Sequence, residues 1–182
     1  MARPTSTARR YAEAAFQLAD RDGALDAWAD GLDLAVRMVT DPTVLSIVGS
    51  PARPLRDRLA LVDRLLKGRV PAGVLKLAGL LVERRRVDSL ATVAATYQRL
   101  LNARRGIVEA QVTSAEPLSV PETEAVRRWV ADYTRKTVNL TVGVDAALIG
   151  GLTVRVGDTL LDASVRGRLE RLRNQLVAGV RR

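Results

Sequence analysis

The spacing of the apolar residues changes within residues 97–114, which read YQRLLNARRGIVEAQVTS. Up to Arg105 the apolar residues recur every three or four positions, as they do on one face of an α-helix. After Gly106 they alternate with polar residues, which is the pattern of a half-buried β-strand. A helical part of the chain therefore ends here, and we place a domain junction near residues 105–107.

Six helices are predicted before this junction, because apolar residues at helical spacing are separated by short breaks rich in Gly and Pro. Gly23 ends the first helix, and Gly68 ends the fourth. Asp41 and Pro42 open the third helix as its N-cap and first residue. The sixth helix is expected to run from Val87 to Arg105. Helices joined by such short breaks are typical of a compact bundle.

The second part of the chain predicts a small β-α-β-β-β-α domain. A capping box, Ser119-Val-Pro-Glu122, opens its first helix, and Ser164 caps its last helix. Alternating segments predict four strands, at residues 107–114, 137–144, 152–156 and 159–162. The predicted fold class is therefore α+β, with an N-terminal six-helix bundle at residues 1–105 and a C-terminal α+β domain at residues 106–182.

The composition points away from catalysis. The chain of 182 residues contains no His and no Cys. Disulfides, thiolate nucleophiles, the usual zinc sites and a Ser-His-Asp triad are therefore excluded. We expect neither a metal nor a cofactor. Apolar residues make up 47% of the chain but aromatic residues only 3%, which favours a core of Leu, Val and Ala.

The unbroken apolar segments are short, the longest being residues 77–82 and 146–152. Crossing a bilayer takes about 18–20 apolar residues, so no transmembrane helix is predicted. The N-terminal segment MARPTST also lacks the apolar core of a signal peptide. We therefore expect a cytoplasmic protein.

The net charge is +9, and it is unevenly distributed. Residues 42–105 carry 13 basic and 4 acidic side chains, whereas residues 106–182 carry 11 and 9. A basic balance of this size makes a helical nucleic-acid-binding protein one hypothesis. Basic segments with interleaved aromatic residues, on which bases stack, are however missing. A carboxylate-based enzyme is a further hypothesis, but no pair of acids is visible for one cleft.

Three short motifs have ordinary structural interpretations. Gly150-Gly151 is not followed by the Lys-Ser/Thr of a phosphate loop, so we interpret it as a tight backbone approach or a bulge. Asp145, Asp158 and Asp162 stand at turn or cap positions, which favours turn formation over a metal cluster. The three arginines at residues 84–86 are interpreted as a solvated helix end.

Two of the predicted helices carry small side chains. The first has alanines at positions 8, 12, 14, 15 and 19, and the fifth contains Ala72, Gly73, Ala78 and Gly79. Since Gly costs about 1 kcal/mol relative to Ala inside a helix, the two glycines need a reason. Close packing inside the bundle is one interpretation, and a groove for a partner's amphipathic helix is the other.

Three segments carry a family resemblance, namely ARRYAEAAF at 8–16, VTSAEPLS at 112–119 and VGVDAALIGGLTVRVGDTLLDASVRGRLERL at 142–172. With these segments in this order, the chain resembles the delta subunit of F-type ATP synthases, the family of the mitochondrial oligomycin sensitivity-conferring protein. It departs from the family pattern at Ala163, where Gly is usual. It also has ERRRV at residues 83–87, in place of the common Glu-Asn-Gly-Arg-Leu type.

The resemblance implies a connector and not a catalyst. Members of this family link the top of the catalytic alpha/beta head to the peripheral stalk of b subunits, so that the head does not rotate with the rotor. The implied partners are the N-terminal helices of the alpha subunits and the b or b′ subunits, with no nucleic acid and no cofactor. One copy per complex is implied, at the cytoplasmic face of the bacterial plasma membrane and without a transmembrane segment.

The resemblance also implies two partner sites on this sequence. A groove between the first and fifth helices would receive the alpha-subunit helix, at Tyr11, Ala14, Ala15, Leu18, Leu75, Ala78, Gly79 and Val82. The end of the b-subunit stalk would bind the last strand and helix, at Asp162, Ser164, Val165, Leu169, Leu172 and Leu176. The first site coincides with the helices whose small side chains needed a reason.

Overall fold

The computed structural model describes residues 6–157 and 159–179, in which α-helices are combined with a four-stranded sheet. This confirms the α+β class. The chain divides into two compact units between Asn102 and Ala103, and each unit has its own hydrophobic core. Among the described residues, no helix has both the length and the apolar content needed to cross a membrane.

The first unit is built from α-helices. They are α1 (Ser6–Arg21), α2 (Leu25–Val39), α3 (Pro42–Val48), α4 (Leu55–Leu66), α5 (Ala72–Glu83) and α6 (Leu90–Arg104). Asp41 caps α3 as predicted, since its Oδ1 accepts the backbone N–H groups of Thr43 and Val44 at 2.9 and 3.3 Å. Gly23 and Gly68 follow the ends of α1 and α4 with φ angles of 65° and 75°, a conformation that favours glycine.

The segment predicted as one helix from Val87 to Arg105 is divided. A 3-10 turn, Val87–Ser89, comes first, and α6 begins only at Leu90. The backbone N–H and the hydroxyl of Ser89 both donate to the Arg86 carbonyl, at 2.9 and 2.6 Å. A serine bonded to the backbone three residues earlier competes with α-helical pairing, and this shortens the helix.

The core of the first unit is mainly aliphatic. Its largest fully buried side chain is Tyr97, whose hydroxyl donates to the Leu25 carbonyl at 2.9 Å and whose ring packs edge-on against Phe16. The buried residues of α1 are all alanines, namely Ala8, Ala12, Ala15 and Ala19. Such small side chains let neighbouring helices approach α1 closely. α5 has contacts with three helices, α1, α2 and α4.

The second unit contains one mixed sheet and, in its described residues, two α-helices. Its elements are β1 (Ile107–Ser114), α7 (Val120–Thr134), β2 (Thr137–Val144), β3 (Leu152–Val156), β4 (Thr159–Asp162) and α8 (Val165–Gly179), with a 3-10 turn at Ala146–Leu148. The four strands have the predicted bounds. The strand order is β2-β1-β3-β4, parallel between β1 and β2 and antiparallel at the other two pairings.

α7 connects the parallel strands β1 and β2, so it crosses over one face of the sheet. The capping box predicted at its start is present, with the Glu122 carboxylate accepting the Ser119 N–H at 2.8 Å. The alternation of β1 puts Ala110 and Val112 into a core with Val130 of α7. One face of the sheet is therefore apolar and covered by α7.

Candidate partner-binding surfaces

The residues predicted for the first groove lie on two helices that touch, because α1 packs against α5. On α1, Ala15 is buried, Tyr11 is half-buried, and Ala14 and Leu18 are exposed. The exposed fraction of Leu18 reaches 42%. α1 therefore turns one side to the core and leaves apolar side chains at the surface.

The predicted residues of α5 divide in the same way. Ala78 and Val82 are buried, whereas Leu75 and Gly79 are partly exposed. Ala78 and Val82, like Ala15, belong to the core of the first unit, so their side chains contribute to holding the unit together. The remaining predicted residues of the groove are uncharged and reach the surface.

The two glycines of α5 have different surroundings. A Cβ at Gly73 would overlap the buried ring of Trp28 in α2, so close packing inside the unit explains this glycine. A Cβ at Gly79 would meet only the Leu59 side chain of α4, at 3.6 Å, which is ordinary van der Waals contact. Packing among the described residues therefore does not require a glycine at position 79.

The first two residues predicted for the stalk site, Asp162 at the end of β4 and Ser164 just before α8, are hydrogen-bonded to each other. The Asp162 carboxylate accepts the Ser164 hydroxyl at 2.7 Å and the Ser164 backbone N–H at 2.8 Å. The pKa of Asp162 is held below its ordinary value, mainly by the bond from the Ser164 hydroxyl and next by the bond from the Ser164 N–H. The positive charge of Arg171 lowers this pKa further. The Ser164 Oγ accepts the Gly167 N–H at 3.0 Å, which confirms Ser164 as the helix cap. Because Ser164 is only 1% exposed, it positions α8 and offers almost no surface to a partner.

The Gly150-Gly151 segment lies against the same helix start. The Gly150 carbonyl accepts the Val165 N–H at 2.9 Å, and a Cβ at Gly151 would lie 2.6 Å from the Ala163 carbonyl oxygen. Gly151 also has a φ of 77°, which L side chains rarely adopt. The interpretation of this motif as a tight backbone approach is confirmed.

From its first residue onward, α8 presents an apolar row, the α8 stripe, formed by Val165, Leu169 and Leu172. These residues follow one another at helical spacing and are exposed to 39%, 55% and 52%. The side chain of Leu176 lies outside the described residues. A contiguous row of exposed apolar side chains is typical of a surface on which a partner packs.

An aromatic pair on α7 was not singled out from the sequence. Trp129 and Tyr133 stack with their ring centroids 6.0 Å apart and are exposed to 48% and 59%. The pairing itself could have been found, because the two residues stand at positions i and i+4 of a predicted helix. The exposure of the two rings could not have been found from the sequence, because it depends on which side of α7 packs onto the sheet.

Two of the three acidic residues considered as metal ligands act in turns. The Asp145 carboxylate accepts the Ala147 N–H at 2.9 Å and caps the 3-10 turn after β2, and Asp162 binds the cap of α8. Asp158 lies outside the described residues. Within the part of the chain that the structure describes, no three His, Cys, Asp or Glu side chains are grouped to hold a metal ion. The arginines at 84–86 are exposed at the C-terminal end of α5, where the helix dipole favours cations.

Known proteins match nearly the whole length of the chain. The family described as ATP synthase delta (OSCP) subunit matches residues 7–176. The ATP synthase subunit delta of Dehalococcoides mccartyi is 34% identical over 172 residues, which is 94% of each chain. The subunit of the same name from Thioalkalivibrio sulfidiphilus is 36% identical over 172 residues, 94% of this chain and 97% of that one.

A solved structure has the same fold. It is a chain of the Toxoplasma gondii mitochondrial ATP synthase hexamer, determined by cryo-EM. The TM-score is 0.71 at 23% sequence identity, and the match covers 95% of this chain and 98% of that one. The shared fold therefore extends over both units.

Proposed function

The chain belongs to the ATP synthase delta (OSCP) subunit family, and on this premise we propose that it is the non-catalytic stator subunit of a proton-translocating F-type ATP synthase. In this role it links the top of the catalytic alpha/beta head to the peripheral stalk of b subunits. The head is then prevented from rotating with the rotor. The observation that carries the proposal is the family match over residues 7–176, which takes in both units.

The first unit is proposed to bind the N-terminal helix of an alpha subunit at the α1–α5 surface. This surface consists of the predicted groove residues that are not buried, namely Tyr11, Ala14, Leu18, Leu75 and Gly79. Two observations support this proposal. These residues carry no charge, and a Cβ at Gly79 would meet only the Leu59 side chain, at 3.6 Å. An amphipathic helix laid over it removes apolar area from water, at roughly 25 cal/mol for each Å².

The second unit is proposed to hold the end of the b or b′ subunits at the α8 stripe. Val165, Leu169 and Leu172 stand at the spacing that a second helix uses to pack along a helix. Asp162 and Ser164 contribute by fixing the position of α8. Both partner contacts must hold against the torque of the rotor, and a nanomolar interface supplies about 12 kcal/mol.

We place the subunit, as one copy per complex, at the cytoplasmic face of the bacterial plasma membrane, attached through its partners. The support is membership of the family, since the relatives are ATP synthase subunits. The basic balance of residues 42–105 fits docking against an acidic protein surface. Association with the catalytic head is therefore expected to weaken as salt is raised.

Peptide binding to the full chain tests the two sites separately. The probes are a synthetic alpha-subunit N-terminal peptide and a synthetic C-terminal peptide of a b subunit. Gly79→Leu fills the α1–α5 surface and is expected to weaken the first peptide about tenfold, as for a loss of about 1.4 kcal/mol. Ala95→Leu, at an exposed position of α6, is its matched control. Leu169→Ser is expected to weaken only the second peptide, with Gln175→Ser of α8 as control.

Co-purification from gently solubilised membranes tests the function as a whole. A tagged chain is expected to bring down the alpha, beta and b subunits. Recovery of nucleic acid instead, with an affinity for duplex DNA that falls steeply with salt, would favour the hypothesis of a basic nucleic-acid-binding protein. Unchanged binding of both peptides to the Gly79→Leu and Leu169→Ser variants would reject the two sites.

A further inference from the structure

β2 is an edge strand of the four-stranded sheet. β2 has β1 on one side only, because the strand order is β2-β1-β3-β4. In a strand of a parallel pair, the backbone N–H and C=O of one residue point toward the neighbouring strand, and those of the next residue point away. The direction of each residue of β2 therefore decides which backbone groups are open to a further strand.

The odd-numbered residues of β2 point toward β1. The Thr137 N–H donates to the Gly106 carbonyl at 3.1 Å, and the N–H of Asp145, directly after the strand, donates to the Ser114 carbonyl at 2.8 Å. The Gly143 carbonyl oxygen also lies on the β1 side, 3.5 Å from the Ser114 hydroxyl oxygen. The even-numbered residues therefore turn their backbone groups outward; they are Val138, Leu140, Val142 and Val144.

The first of these outward groups is covered. Arg127 of α7 donates from Nη1 to the Val138 carbonyl at 3.3 Å, which independently supports the outward direction of the even-numbered residues. Among the described residues, no hydrogen-bond partner faces the outward groups of Leu140, Val142 and Val144. The C-terminal half of the edge is thus open.

β2 lacks the sequence features that usually prevent a further strand from pairing with an edge strand. Natural edge strands usually carry a charge, a proline or a bulge that discourages pairing, whereas TVNLTVGV pairs with β1 in unbroken register and contains no charge and no proline. Val142 and Val144 are exposed to 38% and 56% and lie on the same face as the buried Val138. A further strand would cover both valines and extend the apolar face of the sheet.

The start of β2 is basic. Arg135 and Lys136 directly precede the strand, are exposed, and line a surface cavity together with Asp132. A partner strand antiparallel to β2 would bring its C-terminal end beside these two cations. Carboxylates at that end would be complementary in charge.

We propose that the outer edge of β2, from Leu140 to Val144, is a strand-addition site for an extended protein segment with alternating apolar side chains and an acidic C-terminal end. Backbone hydrogen bonds supply the affinity, and the two exposed valines select apolar side chains at alternate positions. Arg135 and Lys136 select the carboxylates. The site uses neither the α1–α5 surface nor the α8 stripe, so it does not depend on the proposed stator function.

Amide hydrogen exchange of the full chain, measured with and without an added peptide, tests this site. The probe is the peptide Thr-Val-Thr-Val-Thr-Val-Glu-Glu. It is expected to slow exchange of the Leu140, Val142 and Val144 amides about tenfold or more, while the Thr141 amide, which faces β1, changes little. A peptide ending in Lys-Lys is the control for charge. The acidic peptide with alternate amides N-methylated is the control for backbone pairing, and both controls are expected to bind about tenfold more weakly.

A variant of β2 tests the same contacts from the protein side. Val142→Pro removes an outward N–H without removing a bond to β1, and it is expected to weaken the acidic peptide about tenfold. Val142→Thr retains that N–H but changes the apolar side chain, so it is expected to weaken the acidic peptide less than Val142→Pro does. If Val142→Pro fails to fold, the exchange experiment on the unaltered chain decides.

Three results would overturn the proposal. The first is protection by the acidic peptide that appears in α8 or α1 and not at the edge. The second is equal binding of the Lys-Lys peptide. The third is protection of the outward amides in the free chain that rises with its concentration, which would assign the edge to pairing between two copies.

Discussion

Two glycines of α5 show how the lack of a side chain can serve different purposes at the scale of single residues. Gly73 lets α5 approach the ring of Trp28, which is 4% exposed and therefore fixed by the core around it. Gly79 stands beside a single side chain at ordinary distance and belongs to the α1–α5 surface. The fold thus requires the first glycine and does not require the second.

Alanine substitutions separate these roles. Gly73→Ala is expected to destabilise the chain by about 2 kcal/mol, because the new Cβ overlaps the Trp28 ring and the packed core resists its displacement. Gly79→Ala, the matched control in the same helix, is expected to stabilise it by up to about 1 kcal/mol, since Ala is the better helix former. Urea unfolding followed by circular dichroism measures both. Equal stability of the two variants would show that the Trp28 contact does not require Gly73.

The pH dependence of stability follows from Asp162. Its pKa lies below the ordinary value of 3.8, first because of the Ser164 hydroxyl and then because of the Ser164 N–H. A carboxyl group whose pKa is lower in the folded chain than in the unfolded chain stabilises the fold at pH values above its pKa in the unfolded chain. This stabilisation is lost as the pH falls through the pKa of the group in the folded chain. Asp162→Asn is therefore expected to be less stable than the unaltered chain at pH 7, with a difference that shrinks below about pH 4.

Ser164→Ala supplies the control for this prediction. A double-mutant cycle between Asp162→Asn and Ser164→Ala, measured by urea unfolding, isolates the coupling between the two side chains. The coupling is expected at pH 7 and is expected to decrease at pH 3. A coupling that is unchanged at pH 3 would contradict the assignment to the charged carboxylate.

At the scale of elements, the start of α8 is fixed by close backbone contacts. The Gly150 and Leu152 carbonyls accept the Val165 and Ala163 N–H groups at 2.9 and 3.1 Å. Gly151 lies between them, against the Ala163 carbonyl oxygen. The direction in which α8 leaves the sheet, and hence the presentation of its apolar stripe, therefore depends on this Gly-Gly segment.

Two glycines with positive φ test this dependence. Gly151→Ala combines backbone strain with a Cβ placed 2.6 Å from a carbonyl oxygen, so it is expected to cost about 3 kcal/mol. Gly157→Ala, at a φ of 57° with nothing within 4 Å, carries the strain alone and is expected to cost about 1 kcal/mol. Thermal unfolding compares them. The idea of a close approach at Gly151 fails if the two losses are the same.

The elements that depend on neighbouring residues alone were predictable from the sequence. The four strands were found because alternation is a local pattern, and the caps at Asp41, Ser119 and Ser164 because each acts within its own turn. The strand order was not predictable, since the parallel pairing of Ile107 with Thr137 joins distant parts of the chain. For the same reason, the sequence did not separate the buried Ala15 from the exposed Leu18, because the packing of whole helices decides which side of α1 faces inward.

At the scale of the whole molecule, the chain contains two cores formed by separate sets of residues. The first is built from α1 to α6, with buried residues from Ala8 to Leu101, and the second from the sheet with α7. Each proposed stator contact lies on one unit, with the α1–α5 surface on the first and the α8 stripe on the second. In the proposed role, each partner would therefore be bound by a unit with its own core.

The separate cores predict that the two units unfold independently. Gly73→Ala alters only the first core, and a loss of about 2 kcal/mol there should speed exchange of its protected amides about 30-fold, since 1.4 kcal/mol corresponds to a factor of ten. Amides of the second core, such as those of Val112 and Val154, should keep their rates. Gly151→Ala is the reciprocal variant and should act on the second unit alone. Hydrogen exchange by NMR on the full chain measures both, and faster exchange in both units from either variant would mean that they unfold together.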